Sequence, residues 1–197
     1  KNLDLLKKTR KMTLPEEFCP KNVKEWEFWL ENNHNLVKGI WLIHNKKGTE
    51  NYNLSYPEAL DLALCYGWID STIKPINENQ YKRYFSKRNV NSAWSKVNKE
   101  KIKKLIEKGL MKKSGLEAIK IAKENGSYYI LDEAENAIIP KELSIELNKN
   151  LEAKNIFNSL SESIRRRYLR TIARVKTPEA KKRKIETIIK ELLNSIS

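Results

Sequence analysis

Apolar residues return every three or four positions over 22–32, where Val23, Trp26, Trp29 and Leu30 share one face of a helix. Asn22 is placed to cap it, with Glu25 three positions on in a variant of the capping box. The run GIWLIH over 39–44 is β-branched and aromatic, and predicts a strand buried on at least one face. After a polar loop over 48–54, Ser55 and Glu58 form a capping box with Pro57 in the first turn. Leu60, Ala63 and Leu64 are that helix's core stripe, and Gly67 stands where a left-handed C-cap needs no Cβ. Alternation from Trp68 puts Trp68, Asp70, Thr72 and Lys74 on one face of a strand and Ile69, Ser71 and Ile73 on the other. A turn over 75–79 leads to a second strand over 80–87, with Tyr81, Arg83 and Phe85 opposite Lys82, Tyr84 and Ser86.

Asn91 or Ser92 is expected to cap the next helix, which carries Trp94, Val97, Ile102, Leu105 and Ile106 and stops at Gly109. A helix from Ser114 uses Leu116, Ala118, Ile119 and Ala122 and ends at Asn125-Gly126. The segment 127–140 reads as an irregular, more acidic linker. Beyond it the periodicity is helical. Ala153, Ile156, Phe157 and Leu160 face inward on one helix. Ile164, Tyr168, Ile172 and Val175 do so on the next, capped by Ser161. Ile185, Ile188, Ile189 and Leu192 do so on the last, which Thr177-Pro178 begins. The expected fold is α+β: a small antiparallel sheet with packed helices over 1–126, the linker, and a helical unit over 141–197.

Residues 1–14 read as a basic leader, without the apolar core of a secretory signal, and no run is long enough to span a bilayer. The expected setting is therefore cytoplasmic. Cys19 and Cys65 have no CxxC or Cys/His partners and read as reduced thiols. His34 and His44 lack metal-ligand spacing, so neither metal nor cofactor is expected. The net charge of +14 is the compositional signal that bears on partners, and it invites an anionic one.

The candidate chemistry gathers over Tyr56–Asn98, with Trp41 expected to share its surface with Trp68 and Trp94. Asp70 is read as an ion-pair partner of Lys74 or Arg83, or as a ligand acceptor or base. Tyr81, Arg83 and Arg88 give an aromatic, basic strand able to stack bases and bind phosphates. Ser92, Ser95 and Asn98 lie at a helix N-terminus, where free N–H groups would hold an anion near Arg88.

Three stretches, YPEALDLALCYGWIDSTIKPI, YFSKRNVNSAWSKVNKEKIKKLIEKGLM with GLEAIKIAK, and AKNIFNSLSESIRRRYLRTIARVKTPEAKKRKIETII, resemble the YdeI/OmpD-associated, or bacteriocin-protection, family. The resemblance runs over about 26–193, with GWID and S-x-W-S-x-x-N as its specific motifs. Where the family commonly reads E-T-R, this chain has Glu179-Ala180-Lys181, and Tyr128 stands where Trp is frequent. The resemblance implies a role in tolerance to bacteriocins or cationic antimicrobial peptides, and no reaction.

The first reading is therefore a non-enzymatic tolerance protein. It would hold a small anionic ligand or macromolecular partner in a cleft lined by Trp41, Trp68, Asp70, Lys74, Tyr81, Arg88, Ser92, Trp94 and Asn98. The second is nucleic-acid binding through Arg83, Arg88, Arg166, Arg170 and Arg183. The third is an enzyme with Asp70 as acid or base.

Overall fold

The computed structural model describes residues 16–194; the basic leader expected over 1–14 lies outside them. The described chain runs β1 (Glu17–Phe18), α1 (Val23–Asn33), β2 (Gly39–Asn45), α2 (Tyr56–Cys65), β3 (Trp68–Pro75) and β4 (Gln80–Lys87). Then come α3 (Lys96–Glu107), α4 (Lys113–Glu124), α5 (Asp132–Glu135), α6 (Lys141–Lys149), α7 (Leu151–Ser159), α8 (Glu162–Ala173) and α9 (Pro178–Asn194). The fold is α+β. Among the described residues, one unit comprises 16–88 with 109–117, and the other comprises 89–108 with 118–194.

The first unit is built on a sheet of order β1-β2-β4-β3. Its long pairs are antiparallel, as expected, and the two-residue β1 adds a parallel edge to β2. Ile40, Leu42, His44 and Phe85 are buried on one face, toward α1 and α2. Trp26 stacks on Trp29 at 5.3 Å and meets Phe85 at 5.6 Å, while Trp29 stands edge-on to Trp68 at 5.8 Å. Each such pair contributes about 0.5–1.5 kcal/mol beyond its burial. The two deepest indoles also satisfy their N–H groups: Trp26 donates to Ala59 O and Trp68 to His34 O, both at 3.1 Å.

The helix ends follow their sequence signals. Asn22 accepts from Glu25 N, though the Glu25 carboxylate reaches Lys21 N rather than closing the box on Asn22. Ser55 and Glu58 close theirs in both directions. Gly67 has φ +77°, the left-handed conformation foreseen for it. The polar loop after β2 is pinned by Asn53, which is buried. Its amide donates to Pro20 O and Ile43 O and accepts from Asn45 N and Leu54 N, so all its capacity is used.

The second unit is helical. Leu143, Leu147, Ala153, Phe157, Leu169, Ile172, Ile185, Ile188 and Leu192 form its core with Ala134. On α8 the deepest residues are Leu169 and Ile172; Ile164 and Tyr168 are only half-buried, so the apolar stripe lies rotated from the expected one. The segment 127–140 carries the turn of helix α5 and puts Leu131 and Ala134 in the interior. Its helix is only four residues long, too short to show a period, which is why the segment reads as a linker.

Candidate functional site

On the inner face of the first unit, Arg83 Nη1 donates to Asp70 Oδ2 at 2.7 Å, and Tyr56 Oη donates to the same oxygen at 3.2 Å. The Arg83 guanidinium lies over the Tyr56 ring, 3.9 Å from its centroid. Burial, then the Asp70 carboxylate, push the Tyr56 phenol up. This triad ties α2 to the β3–β4 hairpin. It realises the ion-pair reading of Asp70, with Arg83 rather than Lys74 as partner.

Lys74 is on the other face, and the reason is a bulge. From Asp70 to Ile73, β3 advances three residues while β4 advances two, from Phe85 to Arg83. The extra residue flips the alternation. Asp70 and Lys74 therefore do not share a face, contrary to the expectation from strict alternation.

Beside the triad, His44 is wholly buried and stacks on Tyr81, with centroids 4.8 Å apart and planes at 6°. Trp68, expected to line a cleft, is packed in the core. Arg88 is also buried. Its N–H donates to Gly67 O, and burial brings its guanidinium down to about 10.

The outer face carries a different assembly. Trp41 and Tyr84 are register partners on the two middle strands, with ring centroids 5.2 Å apart in an edge-to-face pair. Tyr84 reaches across to Gly39, where a Cβ would meet its Cζ at 2.6 Å and the Phe85 carbonyl at 2.9 Å. A side chain at residue 39 would therefore displace the ring. Lys74 and Lys82 face each other across β3 and β4, and their ammonium groups lie 5.0 and 5.2 Å from the Trp41 centroid. Lys82 also pairs with Glu17 on β1, whereas Lys74 has no carboxylate partner among the described residues. Alternation read from β4 had placed Lys82 and Tyr84 together, but nothing local marked that face as the one left to solvent.

At one end of the sheet lies an open polar groove of about 740 Å³, lined by Asn45, Gly48–Asn51 and Asn77–Gln80. Three of its amide side chains are hydrogen-bonded within it: Asn45 donates to Asn51 O, Gln80 to Asn45 Oδ1 at 2.7 Å, and Asn77 to Gln80 Oε1 at 3.0 Å. The arrangement holds two loops together.

Ser92, Trp94 and Asn98 belong to the second unit. Ser92 is in a turn, its Oγ donating to Asn89 O at 2.7 Å, and the cap of α3 is Ser95, which accepts from Asn98 N at 3.3 Å. Trp94 precedes the helix, buried, and packs on Tyr128 at 5.6 Å. An anion does sit at this helix N-terminus, and it is the protein's own. The buried Glu135 carboxylate bonds the Lys96 N–H and is held in a fork by Arg170, through Nε at 2.9 Å and Nη2 at 2.8 Å. The Arg170 bonds hold Glu135 below the usual carboxylate range.

Arg166 pairs with Glu162, and Arg183 is exposed on α9. Lys181 bonds Glu142 through one contact of 2.8 Å, charge without a guanidinium fork. Among the described residues no group of three His, Cys, Asp or Glu is arranged to hold a metal, and both cysteines are free thiols. No helix among them is long and apolar enough to cross a membrane.

Residues 18–118, just over half of the chain, match the family described as a domain of unknown function, DUF8412. The chain belongs to the DUF8412 family. Its C-terminal residues 136–194, covering α6–α9, match the family described as bacteriocin-protection, YdeI or OmpD-associated. The resemblance expected from the sequence is thus borne out over the C-terminal helices. The GWID and S-x-W-S-x-x-N motifs quoted for it fall within the DUF8412 match. No curated protein matches the chain, and no solved structure does.

Proposed function

We propose that this DUF8412 chain acts in bacteriocin protection as a binding protein for an anionic partner, held on the sheet face that carries Trp41, Tyr84, Lys74 and Lys82. The observation that carries the reading is the cross-strand pair Lys74–Lys82 beside a half-exposed tryptophan. Like charges directly opposite on a sheet destabilise it. An anion spanning the two ammonium groups turns that repulsion into attraction.

The net charge of +14 supports the same direction. It opposes direct capture of a cationic peptide, so protection would run through an anionic component that the peptide also meets. Asp70 takes no part in this reading, because its carboxylate is held by Arg83 and Tyr56.

Titration calorimetry with inorganic tripolyphosphate and with a cationic amphipathic peptide tests it. The expected result is tripolyphosphate binding, weakened about tenfold for each of Lys74→Gln and Lys82→Gln, with no binding of the peptide. Equal affinity in the double variant, or tight binding of the peptide, would overturn the reading.

A further inference from the structure

The outer sheet face also constrains the chemistry of the partner. Trp41 and Tyr84 stand side by side on adjacent strands, so two flat rings are presented one strand spacing apart. Tyr84 is kept there by the missing side chain at Gly39. Ile43 and Ile69, both half-buried, extend the apolar floor on the same face. Lys74 and Lys82 flank the larger ring. The combination of lysines with two partly exposed aromatic rings, the larger one covered by flexible ammonium groups that can move aside, suits a polymer of alternating phosphates and planar bases.

We propose that this face is a stacking platform for single-stranded nucleic acid, with bases on Trp41 and Tyr84 and backbone phosphate between Lys74 and Lys82. The inference rests on the anionic-partner reading and narrows it. In the free protein the two ammonium groups lie against the indole. On binding they turn to phosphate and leave the ring to a base.

The platform also moves the contact away from most of the arginines that the sequence suggests. Arg83 is bound by Asp70, Arg166 by Glu162 and Arg170 by Glu135. On the platform the cations are Lys74, which has no carboxylate partner among the described residues, and Lys82, which exchanges Glu17 for phosphate. Each phosphate neutralised on a single strand adds about −0.7 to the slope of log affinity against log salt.

The test is fluorescence anisotropy with labelled oligo-dT and oligo-U of about 15 nucleotides, long enough for one sheet platform, with inorganic polyphosphate as competitor. The expected result is binding to the oligonucleotides in preference to polyphosphate of equal charge. Lys74→Gln with Lys82→Gln should flatten the salt slope by about 0.7, the contribution of the one phosphate they share. Trp41→Ala should weaken binding about fivefold to a hundredfold and leave that slope unchanged, while Trp41→Phe, which keeps a ring, should retain most of the affinity. Circular dichroism of each variant checks that it folds.

If polyphosphate competes on equal terms and Trp41→Ala has no effect, base stacking is refuted and the anionic-partner reading stands. If neither polymer binds, both fall.

Discussion

Mild acid should destabilise the first unit through a single side chain. His44 is wholly buried, sandwiched flat against Tyr81, with Nδ1 3.4 Å from Leu54 O and no hydrogen-bond partner for Nε2 among the described residues. Burial lowers its pKa from 6.5 to about 4; the Leu54 carbonyl works against the shift and the Arg83 charge adds to it. In the unfolded chain the imidazole takes its proton near pH 6.5. The stabilisation is therefore complete above that value and is lost as the pH falls from 6.5 toward 4. The loss runs at up to about 1.4 kcal/mol per pH unit, about 3 kcal/mol in all.

Urea unfolding at about pH 7.5, 6 and 5, with His44→Phe as reference, isolates the effect, because phenylalanine keeps a flat ring against Tyr81 and cannot be protonated. Glu58, Glu135 and Glu142, all held below the usual carboxylate range by their hydrogen bonds, contribute equally to both proteins. The wild type should lose about 2 kcal/mol relative to the variant between the extremes. A difference that stays constant with pH would refute the reasoning.

Asn53→Ala should cost about 2–4 kcal/mol in urea unfolding, since it strips partners from two backbone N–H groups and two carbonyls around a buried site. Gly39→Ala should cost about 1–3 kcal/mol, because the added Cβ meets both the Tyr84 ring and the Phe85 carbonyl, and near-ultraviolet dichroism should report the displaced tyrosine. Arg170→Ala should cost about 2 kcal/mol, less than a fully buried pair because Arg170 is part-exposed, and should leave anion affinity unchanged, since Arg170 serves Glu135 and the start of α3.

Local signals carried most of the fold. The Ser55–Glu58 box, Gly67 and the β4 boundaries are all properties of a few neighbouring residues, and the structure has them as read. The failures lie where the decisive partner is remote in sequence. The bulge after Asp70 depends on how β3 fits β4, so strict alternation put Lys74 on the wrong face. Ser95 rather than Ser92 caps α3, and both are good caps locally. Glu135 fills the N-terminus of α3 from a segment more than thirty residues away, and nothing near Lys96 announces it. Among the tryptophans, residue spacing could not separate Trp68, in the core, from Trp41, two strands over and half-exposed. Asn53 looked like one more polar loop residue, and its role appears only once four backbone partners converge on it.

The tryptophans provide a direct probe of where the anionic partner binds. Trp26, Trp29, Trp68 and Trp94 are buried, so Trp41 alone of the five is open to a neutral quencher. Acrylamide quenching, measured with and without saturating oligonucleotide, should lose its accessible component when a base covers the ring. That component should be absent from the start in Trp41→Phe. Full occupancy with undiminished quenching of Trp41 would place the partner elsewhere and contradict the account.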